Sequence, residues 1–291
     1  MIDFALIGGS FLVAIVVGLT GMGGGALMTP MMMLFFNVPP LAAVSSDLVA
    51  SAVMKPVGSL VHLRRGTVNL RLVGWLCAGS VPAAFCGVFL ARAFAVGDAV
   101  TYALGVALLL AVAGMAVKSW IGARGGTSST HDIVVRPIPT LLVGTVGGLV
   151  VGVSSVGSGS LIIVALLALY PALKANQLVG TDLVQAVPLV ASAALGHLLF
   201  GDFQADLTLS LLIGSIPGVY LGARISSRAP GGLIRALLAI VLLASALKLL
   251  DAGTVLTVCA LVAATLVTLA MWRFRAGGRV SRGSRDPEPV R

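Results

Sequence analysis

The sequence predicts an all-α polytopic membrane protein built from two inverted-topology repeats with glycine-interrupted short helix pairs, plus one extra C-terminal helix. Three observations support this fold class: the composition, the recurrence of apolar segments and a duplication of the chain. Of the 291 residues, 58% are hydrophobic and 10% are charged, and the mean hydropathy is +1.08. Because a soluble domain carries about 25% charged residues, this composition excludes a long water-soluble enzyme.

Apolar segments recur along the whole chain and are separated by short polar joints. They cover about residues 2–20, 26–36, 41–63, 72–90, 99–117, 138–153, 160–170, 175–200, 207–223, 231–250 and 253–272. Most of them approach the ~20 residues that a membrane-spanning helix needs, whereas 26–36 and 160–170 are too short. Each short segment follows a glycine-rich break. We therefore predict that it pairs with the segment before it, either as two crossings or as a re-entrant hairpin.

The two halves of the chain repeat each other at an offset of 134 or 135 positions. The matched residues include polar types and glycine: Gly18, Gly23, Gly25 and Leu27 fall on Gly152, Gly157, Gly159 and Leu161, and Asp47, His62, Gly79, Pro82 and Gly87 fall on Asp182, His197, Gly214, Pro217 and Gly222. Apolar composition alone does not explain such an offset. Each half holds one short pair and three long segments, so the direction of crossing reverses and the repeats are predicted to be inverted.

Inverted repeats with interrupted helices are typical of secondary transporters, whose site lies near the middle of the bilayer at the breaks. The predicted parts are a single membrane transport domain at 1–251, made of repeat one at 1–118, a central polar loop at 119–137 and repeat two at 138–251, then an extra transmembrane helix at 252–272 and a basic C-terminal tail at 273–291. Basic residues cluster in alternate joints and in the tail, and the net charge is +9. The positive-inside rule therefore places the N-terminus outside and the C-terminus in the cytoplasm, with the tail on anionic lipid.

The two breaks are the candidate binding site for a substrate. They consist of Thr20-Gly21-Met22-Gly23-Gly24-Gly25 and Ser154-Ser155-Val156-Gly157-Ser158-Gly159-Ser160. Glycine allows the backbone to approach a ligand, and the free N–H groups of the following half-helix carry partial positive charge, so an anion fits there. The alternative is that these glycines only allow helices to cross closely. Because both halves carry a break, we favour a substrate site formed by Thr20, Gly21, Gly23, Gly24 and Gly25 with Ser154, Ser155, Gly157, Ser158 and Gly159.

Ionisable side chains within apolar segments are costly in lipid and therefore indicate functional positions. Asp47, Ser51 and Lys55 are spaced four apart, which puts them on one side of a helix. Lys55 is the deepest candidate cation, and it either attracts an anion or neutralises Asp47. Val190 stands where a second copy of Lys55 would fall, so the predicted site is asymmetric.

Four side chains are candidates for proton coupling: Asp47, Asp182, His62 and His197. The two aspartates are either proton-coupling groups or N-terminal helix caps near an interface, where a carboxylate complements the helix dipole. The two histidines lie near the ends of their apolar segments. They are either proton relays or structural residues at the membrane interface.

Two other functional classes are compatible with these residues. A passive anion channel can share the same interrupted helices. An intramembrane enzyme would use His62 and His197, but these are single histidines 135 positions apart without catalytic or metal-ligand spacing. We therefore expect no catalytic residue, metal or cofactor. The expected partners are a small anion and the lipid bilayer; nucleic acid is not expected, and the oligomeric state is left open.

Several motifs together resemble one known family. They are Gly-Leu-Thr-Gly-Met-Gly-Gly-Gly-Ala-Leu-Met-Thr-Pro at 18–30, Ser-Asp-Leu…Lys-Pro-Val-Gly…His…Gly-Thr-Val at 46–68, and the duplicated Gly-Ser-x-Pro. Over about residues 5–250 the chain resembles the sulfite exporter TauE/SafE family of membrane permeases. The resemblance implies transport of sulfur-containing anions such as sulfite, thiosulfate or organosulfonates across the bacterial inner membrane. We expect this transport to be export coupled to protons.

Overall fold

A computed structural model describes residues 3–20, 24–64, 66, 68–93, 98–122, 134–157, 161–171, 173, 175–226 and 231–266. Within these ranges the chain forms helices and short connections, and no strand. The helices are α1 (Phe4–Thr20), α2 (Gly25–Phe35), α3 (Pro40–Arg64), α4 (Leu70–Ala93), α5 (Ala99–Gly122), α6 (Pro137–Ser154), α7 (Leu161–Leu169), α8 (Ala175–Phe200), α9 (Ala205–Ser226), α10 (Gly231–Leu249) and α11 (Thr254–Leu266). The predicted all-helical architecture is confirmed.

Helix length and composition identify a polytopic membrane protein. Five helical stretches of the described chain are long and apolar enough to cross a membrane: Leu70–Ala93, Ala99–Val117, Pro137–Ser154, Gln177–Phe200 and Ala205–Gly222. Two helices are as short as the sequence predicts, because α2 has 11 residues and α7 has 9. Each of these follows a break, so the interrupted helix pairs are present in both halves.

Apolar side chains cover the outside of the bundle, and its interior holds polar side chains together with an apolar core. Large apolar side chains are exposed around the outside of the bundle, including Leu12, Phe89, Leu110, Val146, Leu199, Tyr220 and Leu237. Polar side chains are buried in its interior, including Ser46, Asp47, Ser51, Thr181, Asp182, Gln185 and His197. An apolar exterior suits contact with lipid tails, and interior polar groups can then satisfy one another.

Helices of the first half pack against helices of the second half, and equivalent contacts occur twice. Helix α1 lies along α9 and α4 lies along α6, and each of these pairs joins one half to the other. The contacts recur at the offset seen in the sequence. A Cβ atom built on Gly79 would overlap the Leu141 carbonyl, and one built on Gly214 would overlap the Ile7 carbonyl. Gly79 and Gly214 are 135 positions apart, while Ile7 and Leu141 are 134 apart.

The same relation holds two turns further along these helices, where a Cβ atom built on Gly87 would meet the Leu149 carbonyl and one built on Gly222 would meet the Ile15 carbonyl. Between these pairs, α3 packs on α8 and α5 packs on α10. Helices α3 and α8 are therefore at the centre, and they carry half of the buried polar side chains of the described residues. The packing follows the duplication of the sequence, and opposite orientation of the two halves in the membrane stays a prediction.

Gly79→Ala should destabilise the protein, whereas Gly74→Ala on the same helix should not. A Cβ atom at Gly79 overlaps the backbone of α6, and overpacking of this kind costs about 1–3 kcal/mol. A Cβ atom at Gly74 meets no atom within 4 Å. Thermal unfolding of the purified variants in detergent measures the difference. Equal melting temperatures for the two variants would contradict the close packing of α4 on α6.

Candidate functional site

The two glycine-rich breaks meet inside the bundle. Gly25 is the first residue of α2, and a Cβ atom built on it would overlap the backbone carbonyl of Ser155, which follows the end of α6. The backbones of the two breaks are therefore in direct contact. Gly24 is less restricted, because the nearest atom to a Cβ there is Met28 Cγ at 3.7 Å. The contact between the breaks therefore requires a glycine at Gly25 but not at Gly24.

Asp47 lies where the breaks meet, and its carboxylate is 2% exposed. The Ser155 hydroxyl donates a hydrogen bond to Asp47 Oδ2 at 2.5 Å, and the Thr29 hydroxyl donates to the same oxygen at 3.1 Å. Thr29 belongs to α2, one turn beyond Gly25. A single carboxylate oxygen on α3 thus joins an element of the first half to an element of the second half.

Neither aspartate caps a helix. Asp47 lies two turns inside α3, and Asp182 lies two turns inside α8. Both are buried, with exposed fractions of 2% and 1%. The interpretation of these residues as N-terminal caps near an interface is therefore wrong. A buried carboxylate inside a membrane bundle is costly unless it is solvated by the protein, and the role of the two aspartates in proton coupling stays a prediction.

The second break has an unusual backbone that presents Ser155 to Asp47. Ser155 adopts the left-handed conformation with φ of 58°, and its N–H bonds to the Val151 carbonyl at 2.7 Å. Gly157 has φ of 115°, and its carbonyl accepts a bond from Leu161 N at the start of α7. A serine with positive φ is strained, and such conformations persist when surrounding contacts fix them. Here the bond to Asp47 is one of those contacts.

Lys55 places a positive charge near both buried carboxylates. It interacts electrostatically with Asp182 and with Asp47, and the interaction with Asp182 is the stronger. Lys55 lies two turns beyond Asp47 on α3 and is only partly buried. Two carboxylates and one ammonium leave one excess negative charge when all three groups are ionised. The centre of the protein is therefore not a simple cationic pocket.

His197 joins three helices beside this centre, and it is fully buried. Its Nε2 lies 2.8 Å from the Gly152 carbonyl of α6, and its Nδ1 lies 2.8 Å from the Ser45 hydroxyl of α3. A carbonyl can only accept, so Nε2 carries the proton in this bond. Gly152 is in the last turn of α6, where carbonyls have no helical partner. His197 therefore completes the end of α6 just before the second break.

The other residues predicted for the site fall into three groups. Gly24, Gly25, Ser154, Ser155 and Gly157 lie at the meeting point of the breaks or within one turn of it. Thr20 ends α1, while its side chain and residues Gly21, Gly23, Ser158 and Gly159 lie outside the described residues. His62 lies in the last turn of α3, about 22 Å from Asp47 along the helix axis at about 1.5 Å per residue.

Thr29 and Ser45 make hydrogen bonds at the site that do not follow from the sequence, to Asp47 and to His197 respectively. A further contact joins Gln185 and Ser80. The side-chain amide of Gln185 donates to the Ser80 hydroxyl at 2.7 Å and links α8 to α4. Each is a buried polar residue in a helix whose sequence is mainly apolar. That signal is present in the sequence, but it does not say which partner a hydroxyl or amide will meet.

Together, the lipid-facing exterior, the interrupted helices and the buried polar centre have the architecture of a membrane transporter. The family model described as sulfite exporter TauE/SafE matches residues 6–249. The chain belongs to this family.

Two relatives from Bacillus subtilis (strain 168) cover most of the chain. The probable membrane transporter protein YjnA is 35% identical over 245 residues, which are 82% of this chain and 96% of YjnA. The probable membrane transporter protein YdhB is 24% identical over 223 residues, which are 76% of this chain and 89% of YdhB. No solved structure gives a significant match. Family and relatives thus indicate a multi-pass membrane transporter rather than an enzyme.

His197→Ala should lower stability more than His197→Gln does. The alanine variant leaves the buried Gly152 carbonyl without the imidazole donor, and an unsatisfied buried acceptor costs about 1–3 kcal/mol. Glutamine retains an N–H group that can replace this donor. Melting temperatures of both variants in detergent give the comparison. If both variants matched the wild-type protein, His197 would have no role in completing α6.

Proposed function

We propose that this transporter moves small anions, specifically sulfur-containing oxyanions such as sulfite, thiosulfate or organosulfonates, through a site at the meeting point of the two breaks. The observation that carries the proposal is the convergence of the Ser155 and Thr29 hydroxyls on one carboxylate oxygen. Donors arranged around an anionic oxygen of the protein have the geometry that an oxyanion substrate needs. The family to which the chain belongs supports the sulfur-containing class.

The start of α2 supports an anion rather than a cation. The N–H groups of Leu27 and Met28 both bond to the Gly24 carbonyl, so α2 begins at Gly25 with its N-terminal end in the meeting point. The N-terminal N–H groups and the helix dipole favour negative charge without a full cation. Gly25 permits close approach to this end because it carries no side chain. Lys55 adds a positive charge on the same side of α3 as Asp47.

Proton coupling and export complete the proposed function. Asp47 is the coupling residue that the geometry favours, because it holds the same donors that an oxyanion would use. Asp182 is the second candidate through its interaction with Lys55. His197 is committed to Gly152 and Ser45, and His62 lies near the end of α3. When proton and anion move together, an inward proton gradient opposes export, so the anion leaves the cell only when its own outward gradient is the larger.

Purified protein in proteoliposomes should carry thiosulfate and sulfite but not choline, and an imposed proton gradient should raise the rate. Gly25→Ala should lower anion flux by about tenfold or more, because separating two packed backbones costs about 1–3 kcal/mol. Gly8→Ala is the matched control, since a Cβ atom at Gly8 meets nothing within 4 Å.

The outcomes of this flux experiment separate the alternatives. Choline flux without anion flux would reject an anion transporter. Anion flux that ignores the proton gradient would identify a passive anion channel. Equal flux for Gly25→Ala and Gly8→Ala would move the site away from the contact between the breaks.

The proposed location is the bacterial inner membrane, with the N-terminus outside and the C-terminus in the cytoplasm. A reporter fused after Arg275 should give a cytoplasmic signal, and one fused at Asp202 should give a periplasmic signal. The reason is that basic residues cluster in alternate joints and in the tail, and such clusters are retained inside. The reverse pair of signals would contradict the orientation.

A further inference from the structure

Asp47 and an incoming oxyanion would need the same hydrogen-bond donors. Ser155 and Thr29 each have one hydroxyl proton to donate, and both hydroxyl oxygens lie within hydrogen-bond distance of Asp47 Oδ2. A substrate anion at the meeting point of the breaks therefore finds these donors occupied while Asp47 is ionised. It would also lie beside a second negative charge among buried side chains.

The surrounding charges do not remove this conflict. Lys55 on α3 is shared between Asp47 and Asp182, and it interacts more strongly with Asp182. His197 on α8 also lies beside this region, and its ring bonds to Gly152 and Ser45. Helix α9, which packs on α3 as well, carries Asp206, Tyr220 and Arg224, and all three are exposed. Helices α2 and α6 carry no titratable side chain. A proton on Asp47 is the change that removes a negative charge and releases both hydroxyls.

Resting on the proposed function, we propose that Asp47 is an internal competitor of the transported oxyanion, and that protonation of its carboxyl group transfers the Ser155 and Thr29 hydroxyls from Asp47 to the substrate. The neutral carboxyl O–H then becomes a third donor at the same place. Proton and anion occupy the site together, so one proton accompanies each monovalent anion. For a monovalent anion such as a sulfonate, the site charge is the same when it is empty and ionised as when it is protonated and loaded. For divalent thiosulfate, the same proton reduces the charge that binding adds from two to one.

The duplication indicates that Asp182 does not share this role. At the sequence offset, Gly21 corresponds to Ser155 and Ile163 corresponds to Thr29, so neither position carries a hydroxyl. The pair of hydroxyls that holds Asp47 is thus not repeated around Asp182. Asp182 instead balances the charge of Lys55, and Asp47 is the carboxylate whose protonation is linked to the substrate.

Equilibrium binding of thiosulfate to the purified full-length protein tests this linkage, because thiosulfate does not change its own charge at neutral or mildly acidic pH. For the wild-type protein, affinity should rise by about tenfold for each unit that the pH falls, until Asp47 is fully protonated. Asp47→Asn is permanently neutral and similar in shape. It should bind thiosulfate with less than about a twofold change in affinity between about pH 8 and about pH 5.

Two further variants complete the binding experiment. Asp98→Asn changes an exposed carboxylate before α5 and should behave as wild type. Asp182→Asn should keep the pH dependence of the wild-type protein, whatever its absolute affinity. In proteoliposomes, Asp47→Asn should exchange thiosulfate across the membrane but should no longer accumulate it in response to a proton gradient.

The results distinguish this inference from the proposed function. If the wild-type protein neither binds nor carries thiosulfate or sulfite, the proposed function fails. If the wild-type protein binds thiosulfate and Asp47→Asn retains the full pH dependence, only the role of Asp47 fails. If Asp47→Asn is well folded by its melting temperature yet binds no anion at any pH, Asp47 is a required ligand and not a competitor, and the inference is also overturned.

Discussion

Lipid tails cannot hydrogen-bond, so polar groups inside the bundle must find partners within the protein, and this constraint organises the centre of the fold. An interrupted helix leaves unpaired carbonyls at its end and unpaired N–H groups at its next beginning. Here a side chain from another helix meets part of that need. His197 on α8 donates to the Gly152 carbonyl of α6, and its other ring nitrogen lies 2.8 Å from the Ser45 hydroxyl of α3. The same side chain therefore completes the backbone of α6 and forms part of the polar centre.

Close backbone contact is the second condition for this centre, because hydroxyls on different helices can share one carboxylate only if the helices nearly touch. Glycine in a helix costs about 1 kcal/mol relative to alanine. The chain accepts this cost where a Cβ atom would separate two backbones, as at Gly25 against Ser155 and at Gly79 against Leu141. It also has glycines without such a contact, including Gly8. Glycine content alone therefore does not identify the close contacts.

The helices could be predicted from the sequence because apolar length and polar joints are local properties. The segment at 41–63 is Pro40–Arg64 in the structure, and the one at 160–170 is Leu161–Leu169. Helix α5 extends to Gly122, into the predicted loop at 119–137, because residues 119–121 contain no glycine or proline. The site was predictable only as two breaks. That Thr29 bonds to Asp47 depends on tertiary structure, since a hydroxyl in an apolar helix can equally bond to its own backbone.

The duplication extends to the packing glycines but not to all of the polar centre. Packing contacts are needed in both halves, whereas the groups of one shared site are needed only once. Each half closes against the other, so the contacts of Gly79 and Gly87 must occur again at Gly214 and Gly222. A single site between the halves needs each charged or hydroxyl group only once. Lys55 therefore has no counterpart lysine, since Val190 takes its place. Symmetric packing can support an asymmetric site because the interface between the halves is shared, and a group supplied by either half reaches the same centre.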